Sequence, residues 1–430
     1  MKESFIQRYI SFVITHPWQI FILTLLVVMS AGSGGRFIEF TNDYRVFFSE
    51  ENPELQAFEE MQNIYTKTDN VLFVIEPEGT DVFNFSTLNM IAELTELSWQ
   101  IPYSTRVDSI TNYQHTLAKD DDLLVGDLVD SSTNLSLEDI SYVRGVALKE
   151  PLLVKRLISP SGHVTGVNVT IQLPGKSLTE VPEVAQFSRE LKSKLEASYP
   201  NHRIHITGLA MMNNAFGESS QNDMTTLVPM MFLTIIVVLG ILLRSFSATI
   251  SSIVMIFFTI IFAMGLMGWM GWKLTPASAS APTIIMTMAV ADTVHLLVTF
   301  LHNLRKGINK VDAIADSLRI NIQPIFITSV TTAIGFLSMN FSDVPPFHDL
   351  GNVVAIGVLF AFVLSVTTLP AMVILMPMRI KVREERKNGV MNSFANIVIE
   401  YRKLLLLVMG GIALSLMAFL PQNKLDDQFV

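Results

Sequence analysis

Two ionisable residues, Asp292 and His295, lie inside an apolar run that is long enough to cross a membrane. The run covers residues 283–304 and reads TIIMTMAVADTVHLLVTFLHNL. Because a helix rises about 1.5 Å per residue, Asp292 lies roughly 16 Å from Ala281, close to the middle of a hydrocarbon core about 30 Å thick. A charge at that depth costs about 2.5 to 3.5 kcal/mol on insertion scales, so an ionisable residue there is a functional-site hypothesis by default.

The spacing of this pair predicts the geometry of a site. His295 follows Asp292 by three positions, so the two side chains are expected on one helical face, in a polar seam that faces other helices or a water-filled cavity. We interpret the seam as a proton relay with Asp292 as the carrier. His295 has three open roles: it could orient Asp292, take its proton or bond a neighbour. For Asp292 the alternative is a structural carboxyl satisfied by threonine hydroxyls or backbone donors.

The following apolar run carries hydroxyl groups that could reach this seam. They belong to Thr328, Ser329, Thr331 and Thr332. Such hydroxyls can hydrogen-bond across helices, or they can bond back to carbonyl groups of their own helix. The sequence leaves both arrangements open, so these four residues are possible polar partners of Asp292.

Composition places the chain among integral membrane proteins. Half of its 430 residues are hydrophobic, 16% are charged and its mean hydropathy is +0.43. The net charge of −9 reflects acids concentrated in one soluble segment, so a nucleic-acid partner is not expected. The absence of cysteine excludes disulfides and thiolate sites.

Enzyme chemistry has no support in the sequence. No phosphate-binding loop, nucleophile elbow or HExxH motif occurs, so neither ATP hydrolysis nor protease activity is expected. His202 and His205 form an HxxH, but residues three apart in a strand point to opposite faces, which argues against metal ligation. We therefore predict a protein that is not an enzyme and that has no cofactor or metal.

Apolar runs divide the chain into membrane and soluble parts. Spans are predicted at about 17–30, 226–243, 248–270, 282–304, 323–341, 350–376 and 404–420. The predicted domains are an N-terminal segment with the first helix (1–36), a soluble domain (37–225), a five-helix unit (226–378), a basic linker (379–401), a seventh helix (402–421) and the start of a second soluble domain (422–430). Residues 306–321 are amphipathic and are expected to lie along the membrane surface. Gly265, Gly268, Gly271 and Gly335 favour close helix packing.

Basic residues predict the orientation. They collect on alternate connections, around residues 2–8, 244, 305–319 and 379–403, whereas the opposite short loops hold little beyond Lys273 and Lys424. By the positive-inside rule the N-terminus is cytoplasmic and the large domain is extracytoplasmic, in a multi-pass protein of the inner (plasma) membrane.

The soluble domain shows a double strand–helix–strand pattern. Strands are predicted at 71–75, 106–110, 164–173 and 203–207, and helices at 84–100 and 181–198. This order favours a ferredoxin-like α+β sandwich, a split βαβ fold. The acidic segment 119–139 between the two halves is expected to be a mobile loop or a small excursion, with residues 120–122 as solvated surface.

The end of the chain echoes its beginning. Residues 401–430 resemble residues 16–47, since each has a polar or basic start, one span, an acidic residue and an aromatic. The chain is therefore interpreted as one complete repeat plus the opening span of another. Whether this reflects a truncation, a split gene or a deliberate design is left open by the sequence.

These features resemble the resistance-nodulation-division (RND) superfamily, and within it the MMPL-type exporters with a sterol-sensing-domain-like five-helix unit. The resemblance is carried by IHITGL (204–209), AVADTVHLL (289–297) and PIFITSVTTAIGF (324–336). It implies RND half-transporter architecture and export driven by the proton gradient, with protonation in the fourth span coupled to motion of the outer domain. Asp292 matches the acidic position of the fourth span, and the tenth span that pairs with it in the family is missing here.

Two functions follow as expectations. The first is a proton-driven exporter, or half of one, for a hydrophobic or lipid-like substrate. The second is a non-transporting lipid-sensing or accessory membrane subunit that assembles with a separately encoded second half; a protein-translocation component is a lesser third possibility. The expected partners are membrane lipids, a second half-transporter or further copies of the chain, and periplasmic adaptor proteins.

Overall fold

The computed structural model describes residues 2–41, 43–49, 51–65, 69–119, 122–129, 135–177, 179–378 and 389–423. Within these ranges seven helices are long and apolar enough to cross a membrane. They are Pro17–Phe37, Leu209–Leu243, Phe246–Trp269, Ser278–Arg305, Lys310–Phe341, Pro345–Leu375 and Arg402–Gln422. The chain is therefore a multi-pass, mostly helical membrane protein with one small α+β region.

The elements follow each other in this order. The helices are α1 (Lys2–Thr15), α2 (Pro17–Gly32), α3 (Pro53–Ile64), α4 (Phe85–Ser98), α5 (Leu137–Ala147), α6 (Glu180–Ser198), α7 (Leu209–Asn222), α8 (Val228–Leu243), α9 (Phe246–Trp269), α10 (Ala281–Arg305), α11 (Lys310–Leu337), α12 (Pro345–Leu375), α13 (Gly389–Glu400) and α14 (Arg402–Ala418). The strands are β1 (Asn70–Pro77), β2 (Ser104–Asp108), β3 (Gln114–Lys119), β4 (Asp122–Asp127), β5 (Thr165–Ile171) and β6 (His202–Thr207).

The α+β region is built on a four-stranded sheet with the order β2–β5–β1–β6, in which every neighbouring pair is antiparallel. Alternate residues of β1, namely Val71, Phe73 and Ile75, are fully buried, as a half-covered strand requires. Helix α4 starts where the sequence predicts, because the Asn84 side chain accepts the Thr87 N–H at 2.9 Å. Both predicted helices and all four predicted strands are present.

One detail of this domain differs from the sequence prediction, because strand β2 covers residues 104–108 rather than 106–110. For segment 119–139 the sequence leaves a mobile loop or a small excursion open. Its described part contains β4, paired with β3 in a hairpin, and the start of α5, which fits the second alternative. Helix α5 begins there because Ser136 and Asp139 cap it reciprocally. Of the acidic triplet 120–122, residues 120 and 121 lie outside the described residues.

Helix α1 was not predicted. Its Ile10 and Val13 side chains are buried, and the Tyr9 hydroxyl donates to the Val366 carbonyl of α12 at 3.1 Å. A short amphipathic helix thus precedes the first span, at the end of the bundle opposite the α+β domain. Its apolar positions, three apart, were too few to stand out beside the long run that follows.

Glycines set the distance between α2 and α9. A Cβ atom on Gly268 would lie 2.0 Å from the Gly34 carbonyl oxygen, and one on Gly265 would lie 2.2 Å from the Ala31 carbonyl oxygen. The packing predicted for Gly265 and Gly268 is therefore confirmed. Gly271 and Gly335 have open space instead, and Gly271 takes a φ of +70° just after α9 ends, so the packing prediction was wrong for these two.

Residues 306–321 were expected to form a separate surface segment, which the structure corrects. Helix α11 runs without interruption from Lys310 to Leu337, through Pro324. Its first half packs on α10, since the Ser317 hydroxyl donates to the Leu296 carbonyl at 2.6 Å. The polar residues of this segment serve helix contacts as well as the surface, which is why composition alone misassigned it.

Two connections tie the α+β domain to the bundle. Helix α7 continues into α8 through a π-helical turn, Asp223–Leu227. The chain after α2 also pairs with the α9–α10 connection, where Thr41 N–H donates to the Leu274 carbonyl at 3.0 Å and Leu274 N–H donates to the Glu39 carbonyl at 2.7 Å. Residues 379–388 of the predicted basic linker and residues 424–430 of the predicted echo lie outside the described residues.

Candidate functional site

The candidate site is centred on Asp292, which lies in a buried part of the bundle. Helix α10 contacts α8, α9, α11 and α12. The Asp292 side chain belongs to its buried face, together with Ala289, Leu296 and Phe300, and is only 2% exposed. The apolar residues of this face recur every three or four positions and pack against the neighbouring helices. The Asp292 carboxyl group lies on the same face and is therefore buried as well.

One hydrogen bond holds the Asp292 side chain among the described residues. The Ser329 hydroxyl of α11, itself fully buried, donates to Asp292 Oδ2 at 3.3 Å. No described cation forms an ion pair with the carboxyl group. An ionised carboxylate offers about four lone-pair sites, and among the described residues Ser329 occupies one of them.

His295 does not share this environment. Three helical positions turn the side chain by about 60° from Asp292, and that turn moves it from the buried face of α10 to an exposed one. No hydrogen bond joins His295 to Asp292 within the described chain. The expectation of a single seam through both residues is therefore corrected: burial follows the packing of neighbouring helices, which spacing along one helix does not reveal.

The four hydroxyl residues of α11 also lie in different environments. Only Ser329 reaches Asp292. Thr328 is exposed and donates to the carbonyls of Pro324 and Ile325, and Thr331 is exposed and donates to the carbonyls of its own helix one turn back. Thr332 is half-buried, with no hydrogen bond to Asp292 in the described structure. Thr328 and Thr331 therefore donate to carbonyl groups of their own helix, which is one of the two arrangements that the sequence leaves open.

The structure adds polar groups that sequence reasoning missed. Ser365 of α12 is buried, and its Oγ has no hydrogen-bond partner among the described residues. Helices α10 and α12 run in the same direction and Gly357 packs against Ile285, so Ser365 lies at about the same depth in the bundle as Thr293. One turn further, the Thr368 hydroxyl bonds Thr24 of α2 at 2.7 Å. The sequence offered one signal for these groups, namely two hydroxyl residues, Ser365 and Thr368, three positions apart in the apolar run that forms α12.

A second polar interaction lies outside the membrane-spanning segments, at the domain–bundle junction. Glu180 accepts the backbone N–H groups of Gly175, Lys176 and Ser177 at 2.7, 2.8 and 3.0 Å. Burial alone would raise the pKa of Glu180, but these N–H groups and the Lys176 charge outweigh it and lower the pKa. The carboxylate stays ionised and fixes the loop before α6.

The two histidines of the HxxH lie on opposite faces of β6, as expected. His202 is buried and its Nε2 lies 2.9 Å from the Thr87 hydroxyl, whereas His205 is exposed and its Nε2 lies 3.8 Å from Glu76 Oε2. Burial lowers the pKa of His202, although a backbone hydrogen bond with Tyr199 opposes the shift. This pair stabilises the domain and does not converge on a ligand.

Comparison with known proteins identifies the membrane unit. The MMPL family matches residues 86–400, which include the candidate site. A protein of Methanocaldococcus jannaschii named "Putative membrane protein MJ1562" is 21% identical over 384 residues, which cover 87% of this chain and 95% of the relative. Because the family match extends over most of the sequence, the chain belongs to the MMPL family.

Proposed function

We propose that this protein is a proton-motive-force-driven exporter of the RND/MMPL type, or half of one, for a hydrophobic or lipid-like substrate. Membership of a transporter-like family supports the general class. Within the proposal Asp292 carries the proton, Ser329 positions it, and His295, on an outward face of the same helix, exchanges protons with a neighbouring chain.

The observation that carries the proposal is the environment of Asp292. The side chain lies about half-way along α10, is 2% exposed and has one neutral donor, Ser329, among the described residues. A carboxyl group kept in such a place at a cost of about 2.5 to 3.5 kcal/mol is rarely retained for packing alone. Reversible protonation gives it a use, because the neutral form is far cheaper to bury.

The path from protonation to the outer domain has a physical candidate. Helix α8 packs on α10 and continues through the π-helical turn into α7 of the α+β domain, so a shift of α10 acts on that domain without an intervening loop. The strand order and the flanking helices support the proposed ferredoxin-like fold for this domain. The basic connections support a cytoplasmic N-terminus and an extracytoplasmic domain.

The test is proton flux in liposomes that contain the full chain and a trapped pH-sensitive dye. Asp292→Asn should abolish flux driven by an imposed gradient, and Ser329→Ala should reduce it about tenfold, as the loss of a hydrogen bond to a charged group predicts. Asp316→Asn, an exposed carboxyl on α11, is the matched control and should leave flux unchanged. Flux that persists in Asp292→Asn would refute the proton role.

A second function is favoured by one observation. Every residue of α14 is exposed, and it has no substantial packing on the bundle of this chain. An accessory or lipid-sensing subunit that assembles with a separately encoded second half would cover such a helix. Liposomes with the chain alone and with a co-expressed second half separate the two functions. Flux from the chain alone, or only from the pair, supports the exporter or its half form, whereas no flux from either preparation supports the non-transporting subunit.

A further inference from the structure

Helix α12 contains a proline in its interior, which leaves one carbonyl group without its usual partner. Pro370 has no backbone N–H, so the Val366 carbonyl, four residues earlier, cannot accept the hydrogen bond that closes a normal helical turn. Val366 is buried. Because a buried carbonyl group without a donor is costly, this part of α12 requires a donor from elsewhere in the chain.

Tyr9 of α1 supplies that donor. Its hydroxyl group donates to the Val366 carbonyl at 3.1 Å, across 357 positions of the sequence. Burial raises the pKa of Tyr9 to about 12, so the hydroxyl group keeps its proton over the physiological pH range and remains a donor. Helix α1 packs on α11 and α12, and its Ile10 and Val13 side chains are buried beside this hydrogen bond.

Helix α2 holds the same turn of α12. The hydroxyl groups of Thr24 and Thr368, both buried, share a hydrogen bond at 2.7 Å. Residues 365–369, which we call the proline turn, therefore receive one hydrogen bond from α1 and one from α2. The two N-terminal helices act together on the side of α12 that precedes Pro370.

The end of α12 beyond Pro370 is held by other helices. Lys310 Nζ, at the start of α11, donates to the carbonyls of Ile374 and Met376 at 2.8 and 2.6 Å. The Ser247 hydroxyl of α9 donates to the Pro377 carbonyl at 2.7 Å. The two sides of Pro370 are thus attached to different parts of the bundle, as the two sides of a hinge are.

Open space lies beside the proline turn. A cavity of about 300 Å³ separates α1, α2 and α12, and Tyr9, Thr24 and Thr367 are among the residues that line it. Because protein interiors are otherwise closely packed, a turn beside such a space can move without displacing a whole layer of side chains. The hydrogen bond of Tyr9 is therefore placed where it can decide whether the turn is closed or open.

From these contacts we infer that α1 is a latch on the proline turn of α12, and that Tyr9 closes it by giving the Val366 carbonyl the hydrogen bond that Pro370 cannot give. With Tyr9 in place the turn is closed. When α1 withdraws, the carbonyl group loses its donor and the turn opens. The latch is independent of the proton role of Asp292, because no group in it has to change its charge.

Hydrogen–deuterium exchange of the full chain in lipid nanodiscs tests the latch, with mass spectrometry of peptides from residues 361–375. Tyr9→Phe keeps the aromatic ring and removes only the donor. Exchange through local opening should become about fivefold faster, the factor that corresponds to about 1 kcal/mol for one neutral hydrogen bond. Tyr142→Phe, at an exposed tyrosine of α5, is the matched control and should leave this exchange unchanged. Peptides from α9 should exchange at the native rate in both variants.

Pro370→Ala distinguishes the latch from a simple packing contact. Alanine restores the N–H at position 370, so the Val366 carbonyl regains a donor within α12. In a Pro370→Ala chain, Tyr9→Phe should then change the exchange rate by less than about twofold, and a double-mutant cycle measures this loss of effect. Should Pro370→Ala fold poorly, Pro370→Gly restores the same N–H. An unchanged rate in Tyr9→Phe, or a fivefold increase that persists without Pro370, would overturn the inference.

Proton flux from the same variants separates the latch from the proposed exporter. Asp292→Asn should abolish flux and leave the effect of Tyr9→Phe on exchange as it is in the native chain. Flux that depends on Asp292, without any link between Tyr9 and Pro370, would retain the exporter and remove the latch. The link without such flux would retain the latch and remove the exporter.

Discussion

At the scale of single residues, the contact between Asp292 and Ser329 suits both protonation states of the carboxyl group. A serine hydroxyl can donate to the carboxylate and can accept from the protonated acid. The hydrogen bond can therefore reverse direction when a proton arrives, without a change in the positions of the two oxygens. A cation in place of Ser329 would favour only the charged form.

His202 gives a residue-scale prediction for the outer domain. Burial lowers its pKa in the folded state, so near and below about pH 6.5 the unfolded chain binds a proton that the folded chain does not. The stability that His202 contributes is thus complete above that pH and is lost as the pH falls toward its folded pKa. Amide protection factors in β6, corrected for intrinsic exchange, should decrease between pH 7.5 and 5.5.

The matched substitutions for this prediction are His202→Gln and His205→Gln. Glutamine at 202 can keep a hydrogen bond to Thr87 but does not titrate, so the pH dependence of protection should become weaker. His205 is exposed on the other face of the strand, and its substitution should leave the pH dependence as in the native chain. An unchanged pH dependence in His202→Gln would contradict the assignment.

At the scale of elements, the contact between α2 and α9 depends on residues without side chains. A Cβ atom on Gly268 would lie 2.0 Å from a backbone oxygen that cannot move aside alone. We predict that Gly268→Ala destabilises the bundle by about 1 to 3 kcal/mol, as overpacking does. Thermal unfolding of the chain in nanodiscs, followed by the fluorescence of Trp269 beside Gly34, measures the change.

Gly240→Ala in α8 is the control for this substitution. A Cβ atom there has no neighbour within 4 Å, and alanine favours a helix by about 1 kcal/mol over glycine, so the variant should be as stable as the native chain or slightly more stable. Equal destabilisation by both variants would contradict the prediction, because the loss of stability would then not depend on the α2–α9 contact.

The packing of helix faces determines which features of the structure could be predicted from the sequence. The runs that became α9, α10 and α12 and the strands of the outer domain were predictable, because long apolar runs and alternating burial are local patterns. Asp292 could be identified because an ionisable residue lies near the middle of an apolar run. Its partner Ser329 could be predicted only as one of four hydroxyl residues. Which of Ser329 and Thr331 turns inward depends on where α10 packs on α11, and this is not a local property. His295 was misplaced for the same reason.

At the scale of the whole molecule, one continuous path links the helix that carries Asp292 to the outer domain. Helix α7 of the outer domain runs through the π-helical turn into α8, and α8 packs on the helix that carries Asp292. The π-helical turn precedes Pro229, whose missing N–H removes one helical hydrogen bond. A continuous helix with one weakened turn can transmit a movement of α8 to the outer domain, and it can also bend at that turn.

The exposed surface of α14 gives the last prediction. A membrane helix whose described residues all face outward is expected to pack on another chain, and cross-linking decides between a second copy and the separately encoded half considered above. Gly410 and Gly411 have no atom within 4 Å of an added Cβ and point in directions about 100° apart. With no native cysteine, Gly410→Cys and Gly411→Cys should form an intermolecular disulfide in at least one case when the membranes are oxidised.

A disulfide requires Cα atoms about 4.4 to 6.8 Å apart, so cross-linking reports a helix contact rather than chance proximity. Gly240→Cys, in a membrane helix that already packs on this chain's own bundle, is the control and should remain monomeric on a non-reducing gel. A product of twice the chain mass supports self-association through α14, whereas a larger adduct with a different protein identifies a separately encoded partner. Monomers alone from both α14 variants would contradict the prediction, because the helix would then face lipid on every side.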